Sequence, residues 1–336
     1  MKNIFGLLLL SLLLAACSPE DTAQPQSQKL YIFATENKVS ENFWQDNLAE
    51  FSEIFDCEIS WQIFSDPYQM YAEYSNLDSL QQQPDLILGL DEIVAAKAIT
   101  DSVFAEVKLN NLHLMNKRMR SKQDKLIPLF YSSLGFLYNK SKIENHPHTF
   151  GEIQDGIWQQ QVLMAHPLTS ALGNSFLIWS IAAFGPNGYG HFWRSMKDNI
   201  YQAPADWDLA ADMFLADQAP ILYTPTSYYD YFAGLAEPDK YGLFVPAEGT
   251  FLYTEFGGVL QQSSQPKLAT DLLNYLISDN FQSKASCSRH LLPINKNIEH
   301  DLLLPENKRI FRLQYSASQI DRNNQRWGER WERLTK

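Results

Sequence analysis

From residue 29 onward, apolar positions fall into short runs that switch between two periods. "KLYIFAT" is continuously apolar at its centre and short, as a buried strand is. "ENFWQDNLAEFSEIF" then spaces Phe43, Trp44, Leu48, Phe51, Ile54 and Phe55 as one helix face. "EISWQIF" predicts a second strand, "PYQMYAEYSNL" a helix and "DLILGL" a third, buried strand. Strands separated by helices at this spacing predict parallel pairing through right-handed crossovers. Ligands of such sheets sit beyond the carboxyl ends of the strands. Asp66 follows the second strand and Asp91 the third, so both point toward a cleft.

"LIPLFYSSLGFLYNKSKI" is a long extended run with a Pro and a polar break at Ser132-Ser133. Such a run can leave one lobe and enter another. The alternation then restarts: strand "QVLMA", a helix from Ala171 to Phe184, and a Gly185-Pro186 stop. Helix "WDLAADMFLAD", strand "PILYT" and helix "SYYDYFAGLA" follow, with "YGLFV" and "FLYTEFGGVL" as return strands. Helices dominate the remainder, "PKLATDLLNYLIS" most clearly. In the last one Trp327 and Trp331 are four apart and share a face, which predicts their burial. The pattern predicts an α/β chain with lobe 1 at 29–131 and lobe 2 at 132–245. Residues 246–336 return and largely complete lobe 1. About 308 residues after the leader suit two lobes of ordinary size.

Charge and cysteine usage narrow the partners. A formal net charge of −12 disfavours nucleic acid, whose phosphates need basic patches. A small anion remains compatible, because a helix N-terminus supplies local positive potential. Residues 1–16 have the basic start and apolar centre of a secretory signal. Leu14-Ala15-Ala16-Cys17 resembles the bacterial lipobox, which implies lipidation of Cys17 and attachment to a membrane. Residues 17–28, the Cys and "SPEDTAQPQSQ", then form a flexible tether. Ser18 after the Cys, by resemblance to Gram-negative sorting rules, implies the outer membrane. An 11-residue tether reaches at most ~40 Å, which counts against a simple importer role there. Cys57 and Cys287 are expected to bridge in an oxidising space, with two separate buried thiols as the alternative. Their spacing has no metal-ligand pattern. His146 and His148 read as a surface loop, with a metal pair as the alternative.

"HPLTSALGNSFLIW" carries the first chemistry. Thr169 or Ser170 is placed to cap a helix whose free N–H groups suit a phosphate. Ordinary capping would look the same. Three neighbouring features add to it. Trp207 opens the helix of "ADWDLA". Tyr223, Thr224 and Thr226 end a strand in "ILYTPTSYYDYF". Tyr228 and Tyr229 start the next helix. Hydroxyls and aromatic rings opposite the Asp66 carboxylate suit a cationic heteroaromatic with a phosphate tail.

These stretches, together with "DCEISWQIFSDP", "PDLILGLDEI" and the Trp-x-x-x-Trp of the last helix, resemble the bacterial thiamine-binding proteins of ABC importers over nearly the whole mature length. The resemblance implies a type II periplasmic-binding-protein fold, in which two α/β lobes joined by crossing strands hold a ligand cleft between them. It implies thiamine or its mono- and pyrophosphate esters as ligand, an ABC permease as partner, a monomer, no cofactor and no catalysis. By position, Asp66 and Pro67 match a first-lobe contact, and Ser170 and Ala171 the phosphate-side loop, with Thr169 beside them as a candidate from the helix start. Trp207 matches an aromatic wall. Tyr223, Thr224, Pro225 and Thr226 match strand-end contacts, and Tyr229 a stacking ring. Asp91 and Tyr131 are further candidates.

There are departures from the family's pattern. Thr35, Glu36 and Asn37 stand where the family usually has tyrosine and acidic residues, Leu168 where it carries an Arg, and Ala171 where it has a hydroxyl. A pyrophosphate would lose charge-assisted hydrogen bonds of about 1.5–3 kcal/mol each. Two alternatives share the fold. One is ferric-ion capture by Tyr228 and Tyr229. The other is a thiaminase-like enzyme with Cys57 or Cys287 as nucleophile, which needs a base within hydrogen-bond reach. No hydrolase elbow, P-loop, dinucleotide fingerprint or zinc-protease helix is present in the sequence.

Overall fold

The computed structural model describes residues 28–336 apart from 79, 118, 120–124, 301–307 and 313–314. The expected leader, lipidated Cys17 and nearly all of the tether lie outside the described residues, as does the side chain of Cys287. Lobe 1 begins with β1 (Gln28–Thr35), α1 (Phe43–Ile54), β2 (Cys57–Phe64), α2 (Pro67–Asn76), β3 (Leu86–Leu90) and α3 (Glu92–Thr100). β1 pairs in parallel with both β2 and β3. Its side chains alternate between two apolar clusters. Leu30, Ile32 and Ala34 join Trp44 and Phe51 of α1, while Phe33 joins Met70 and Val94 of α2 and α3. Burial on both faces explains why the run reads as continuously apolar.

β4 (Ile127–Asn139) carries the chain across. Lobe 2 follows as β5 (Val162–Leu163), α4 (Ala171–Met196), β6 (Ile200–Gln202), α5 (Trp207–Leu215), β7 (Ile221–Pro225), α6 (Tyr229–Gly234) and β8 (Tyr241–Phe244). β9 (Thr250–Val259) crosses back. It is followed by α7 (Pro266–Leu276), α8 (Asp279–Arg289), β10 (Leu292–Pro293), β11 (Ile310–Phe311) and α9 (Ala317–Thr335). The sheet path is β2-β1-β3-β9-β4-β7-β5-β6, with β8 and β10 on β4 and β11 on β9. Two sets of parallel strands are therefore joined through antiparallel β4 and β9. This is the two-lobed α/β architecture with crossing strands that the sequence predicts.

Three expectations need correction. Ser132-Ser133 do not interrupt β4. They sit where its partner changes, from β9 at Ser133 to β7 at Leu134. Their hydroxyls are satisfied locally, since Ser227 N and Oγ donate to Ser132 Oγ at 3.3 and 2.9 Å and Ser133 Oγ lies 2.6 Å from Thr226 Oγ1. The Gly185 stop falls where the sequence places it, since φ 74° and ψ 171° there end the first helical segment of α4, and a second segment then runs to Met196. Cys287 lies inside α8 rather than after a helix, and Cys57 is a free, buried thiol, so the expected bridge is not made. Finally, α9 packs on α3 of lobe 1 and on α4 of lobe 2, with Trp327 and Trp331 buried beneath it. It therefore touches both lobes rather than completing one.

Candidate functional site

The lobe-1 wall is built at the ends of β1 and β2. Gly89 adopts φ +92°, and a Cβ there would lie 1.9 Å from Thr35 Oγ1. Only glycine fits, and Thr35 Oγ1 donates to the Gly89 carbonyl at 3.1 Å. That contact seats residues 35–37 beside the cleft. Glu36 accepts from Asn42 N and Trp44 N at 3.0 and 2.9 Å and so holds the start of α1, while burial pushes its pKa up. Asp66 caps α2, with Pro67 as the first helical residue and Oδ1 accepting from Tyr68 N at 2.8 Å.

The lobe-2 wall is built from two helix starts. The Ala171 N–H at the head of α4 donates to Asp66 Oδ2 at 2.9 Å, directly across the cleft. Burial raises Asp66 to about 6, although two backbone N–H groups and the Ser170 hydroxyl act to lower it. Asp206 caps α5 through Leu209 N at 2.8 Å, which fixes Trp207 at the helix start. Trp207 Nε1 donates to the Tyr223 carbonyl at 3.1 Å, and its ring meets Tyr228 edge-on. Asp208 accepts from Lys38 N of lobe 1 at 3.2 Å, and Lys38 Nζ pairs with Asp212.

The floor comes from β9 and α8. Tyr253 and Glu255 are two apart on β9 and share a face. Arg289 donates from Nε and Nη2 to Glu255 Oε2 at 3.1 and 2.8 Å and from Nη1 to Ser40 Oγ at 3.2 Å. Its guanidinium lies over Phe43 and Trp44. The space within reach of a water molecule is about 20 Å³, enough for a single water. An organic ligand is too large for this space as it stands. Glu36, Asp66, Asp208 and Glu255 line this space against the single cation Arg289, so the cleft is formally negative.

Of the residues expected from sequence, Asp66, Pro67, Ala171 and Trp207 line the cleft together. Ser170 is fully buried immediately before Ala171 as the α4 N-cap residue. The strand-end group does not reach the space. Tyr223 stacks on Phe176 at 4.4 Å and its hydroxyl is 2.9 Å from Ser175 Oγ, so it is core. Thr224, Pro225 and Thr226 are buried at the end of β7, where the Thr226 hydroxyl meets Ser133. Thr169 is exposed and donates to the Ala205 carbonyl at 2.6 Å. The Tyr229 hydroxyl turns 3.5 Å from the Tyr241 carbonyl, whereas the Tyr228 hydroxyl accepts from Asn37 Nδ2 at 2.9 Å. The two rings thus diverge, and the ferric arrangement loses its pair. Asp91 is buried as the cap of α3, and Tyr131 lies half-buried in β4 opposite Thr254 and Leu292. Consecutive residues on an extended segment point to opposite faces, so a run of four cannot all address one cavity.

Leu168 also turns away. Its Cδ2 lies 2.1 Å from where a Cβ on Gly328 of α9 would stand. Cys57 opens β2, whereas Asp66 follows the far end of that strand, and burial pushes the Cys57 thiol pKa up, opposite to what a nucleophile needs. His146 stacks on Phe244 beside His148, and among the described residues no group of three His, Cys, Asp or Glu could hold a metal. Sequence reasoning missed Asp208, Tyr253, Glu255 and Arg289, and met Glu36 and Asn37 only as departures. The alternation of Tyr253 and Glu255 was a usable signal. Arg289 gave none, because its partner is 34 residues away.

The sequence profile of a family described as bacterial extracellular solute-binding protein matches residues 81–317. A thiamine-binding periplasmic protein of Salmonella typhimurium is 24% identical over 262 residues, 76% of this chain and 78% of that one. Among solved structures, a periplasmic thiamin binding protein superposes with TM-score 0.77 at 20% identity, over 92% of this chain and 96% of the other. A periplasmic binding protein of Actinobacillus pleuropneumoniae, solved with fructose-6-phosphate, superposes with TM-score 0.81 at 14% identity, over 92% and 99%.

Proposed function

We propose, for a chain that belongs to the family of bacterial extracellular solute-binding proteins, that it captures thiamine or a phosphate ester of thiamine by closure of its two lobes. It delivers the ligand to an ABC importer. It acts on the periplasmic side as a monomer, moored to a membrane through Cys17, and carries out no covalent step. The observation that carries this reading is the composition of the cleft. Four carboxylates and one already paired guanidinium surround the space, with Trp207 and Tyr253 as aromatic surfaces. A positively charged aromatic ring meets both needs, through charge pairing and ring contact. Closure follows because Asp66 and Trp207 stand on opposite lobes, so a ligand touching both biases the hinge toward the closed form. The thiamine-binding relative supports the choice of cation.

Calorimetric titration of the purified chain with thiamine, its monophosphate and its pyrophosphate tests the reading. Saturable binding of at least one form, with quenching of tryptophan fluorescence, is the expected result. Flat traces with all three refute it.

A further inference from the structure

We propose that the outer face of α9 is an electrostatic docking surface for an anionic phospholipid bilayer. The chain carries a formal net charge of −12, yet α9 gathers Arg322, Arg326, Arg330, Arg333 and Lys336. The helical period returns Arg322, Arg326 and Arg333 to one face, with Lys336 at its edge, and the stripe runs ~21 Å along the helix. Trp327 and Trp331 are buried on the opposite side, and Arg322, Arg326, Arg333 and Lys336 are exposed. The guanidinium charges are not neutralised within the protein. Among the described residues Arg289 is the one arginine paired with a carboxylate. Arg322 Nε donates to the Ser318 carbonyl at 3.0 Å, and Arg326 donates to the Asn323 side chain. Half-buried Arg330 lies 4.9 Å over the Tyr189 ring and donates to the Pro186 carbonyl at 3.4 Å. The carboxylates of α9 are engaged elsewhere. Glu329 accepts from Gln325, Glu332 pairs with Lys336, and Asp321 lines the groove against α3.

This face suits phosphates spread over a surface better than it suits a protein. A guanidinium holds a phosphate through paired N–H donors, which an ammonium cannot do. A protein interface needs an apolar or aromatic anchor at its centre, and α9 exposes no large hydrophobic side chain. The apolar side of the helix is already buried against both lobes, so α9 rests on headgroups without inserting. The acidic body does not cancel the stripe, because at physiological salt charges more than ~8 Å away are largely screened. α9 packs on α3 of lobe 1 and α4 of lobe 2, so docking through it fixes both lobes relative to the bilayer. The attachment is independent of the expected lipid on Cys17 and of the ligand in the cleft.

The test is co-sedimentation of the full chain with vesicles, using Cys17→Ser so that no lipid is attached. One set of vesicles is phosphatidylcholine alone, and the other is phosphatidylcholine mixed equally with phosphatidylglycerol. Any pull of the apolar residues 1–16 is common to both. At low salt, affinity for the anionic vesicles should exceed that for the neutral ones by about 100-fold, and the excess should vanish in about 0.5 M salt. Arg322→Gln, Arg326→Gln and Arg333→Gln together should remove most of that excess, about fivefold per guanidinium. Arg330 is left in place because it packs on Tyr189. Lys29→Gln, Lys108→Gln and Lys267→Gln together change the net charge equally on other exposed surface, and should leave the excess intact. Melting curves establish that each variant is folded. Equal binding to the two vesicles, or the same loss in both triple variants, overturns the inference. So does displacement from the anionic vesicles by an oligoglutamate peptide, which assigns the face to an acidic protein instead.

Discussion

Arg289→Met isolates the most deeply buried charge pair beside the cleft. Arg289 and Glu255 are 2% and 3% exposed, and the guanidinium gives two hydrogen bonds to one carboxylate oxygen. Methionine is close to the arginine stem in volume, so the change removes charge and donors more than packing. It leaves Glu255 buried without its cation, which costs about 3–5 kcal/mol. For a chain of this length roughly 2 °C accompanies each kcal/mol, so a fall in melting temperature of about 6–10 °C is expected. Arg289→Met with Glu255→Gln should recover most of the loss, because neither buried charge remains. Urea unfolding should be followed by both tryptophan fluorescence and circular dichroism, since two lobes can separate into two transitions. A single variant within about 1 kcal/mol of the native protein refutes the argument. So does a double variant no more stable than the single one.

Three further outcomes follow from the same geometry. Asp91 is fully buried and its carboxyl is raised to about 7 by burial, so the folded chain keeps a proton that the unfolded chain loses near pH 4. That stabilisation is complete below about pH 4 and is lost as pH rises through about 7. Asp91→Asn, an equally good cap, should exceed the native protein by roughly 2–4 kcal/mol at pH 8 and approach parity near pH 4; equal urea midpoints at pH 8 sink the assignment. Asn324→Ala removes the donor to Tyr68 OH at 2.9 Å and the acceptor for Asn174 Nδ2 at 3.0 Å, and should cost about 1–3 kcal/mol and speed ligand release in stopped-flow fluorescence. Trp207→Ala should lose about 3–5 kcal/mol of stability together with most ligand affinity, whereas Trp207→Phe should keep the fold; an alanine variant that binds normally removes Trp207 from the site.

The lobes were legible because each strand and helix of the first half obeys one period. β1 reads as continuously apolar since both its faces are covered, and α1 reads as helical since only one of its faces is. Asp66 and Trp207 were legible for a related reason. Each sits where a strand hands over to a helix, and a cap residue or a helix start marks that point in the sequence. Tyr223 was misread because a strand end looks the same whether its side chains enter a cleft or a core. The Phe176 ring that claims Tyr223 is 47 positions away. Glu255 and Arg289 stayed hidden for the same reason, since pairing across separate elements leaves no local pattern. Ser132-Ser133 misled because polarity within a strand suggests solvent, whereas here residues 226 and 227 satisfy both hydroxyls.

The contacts across the cleft determine how the protein must work. Asp66 to Ala171, Asn37 to Tyr228 and Lys38 to Asp208 each join the lobes by hydrogen bonds, and Asn324 of α9 links Tyr68 on one side to Asn174 on the other. Each bond contributes about 1 kcal/mol net, so these hydrogen bonds hold the lobes together by only a few kcal/mol, beside the apolar packing of α9 on both. β4 pairs with β9 as far as Ser133 and with β7 from Leu134, so the two lobes are joined where β4 exchanges one partner for the other. On the closure reading, a ligand enters after these contacts part and takes the place of the groups that make them. Its apparent affinity is therefore reduced by the fraction of molecules already closed. Weakening Asn324 acts on that fraction without touching the ligand, whereas changing Asp66 alters both the fraction and the contact. Comparing the two variants separates the closure equilibrium from recognition, because only the second removes a group that lines the cleft.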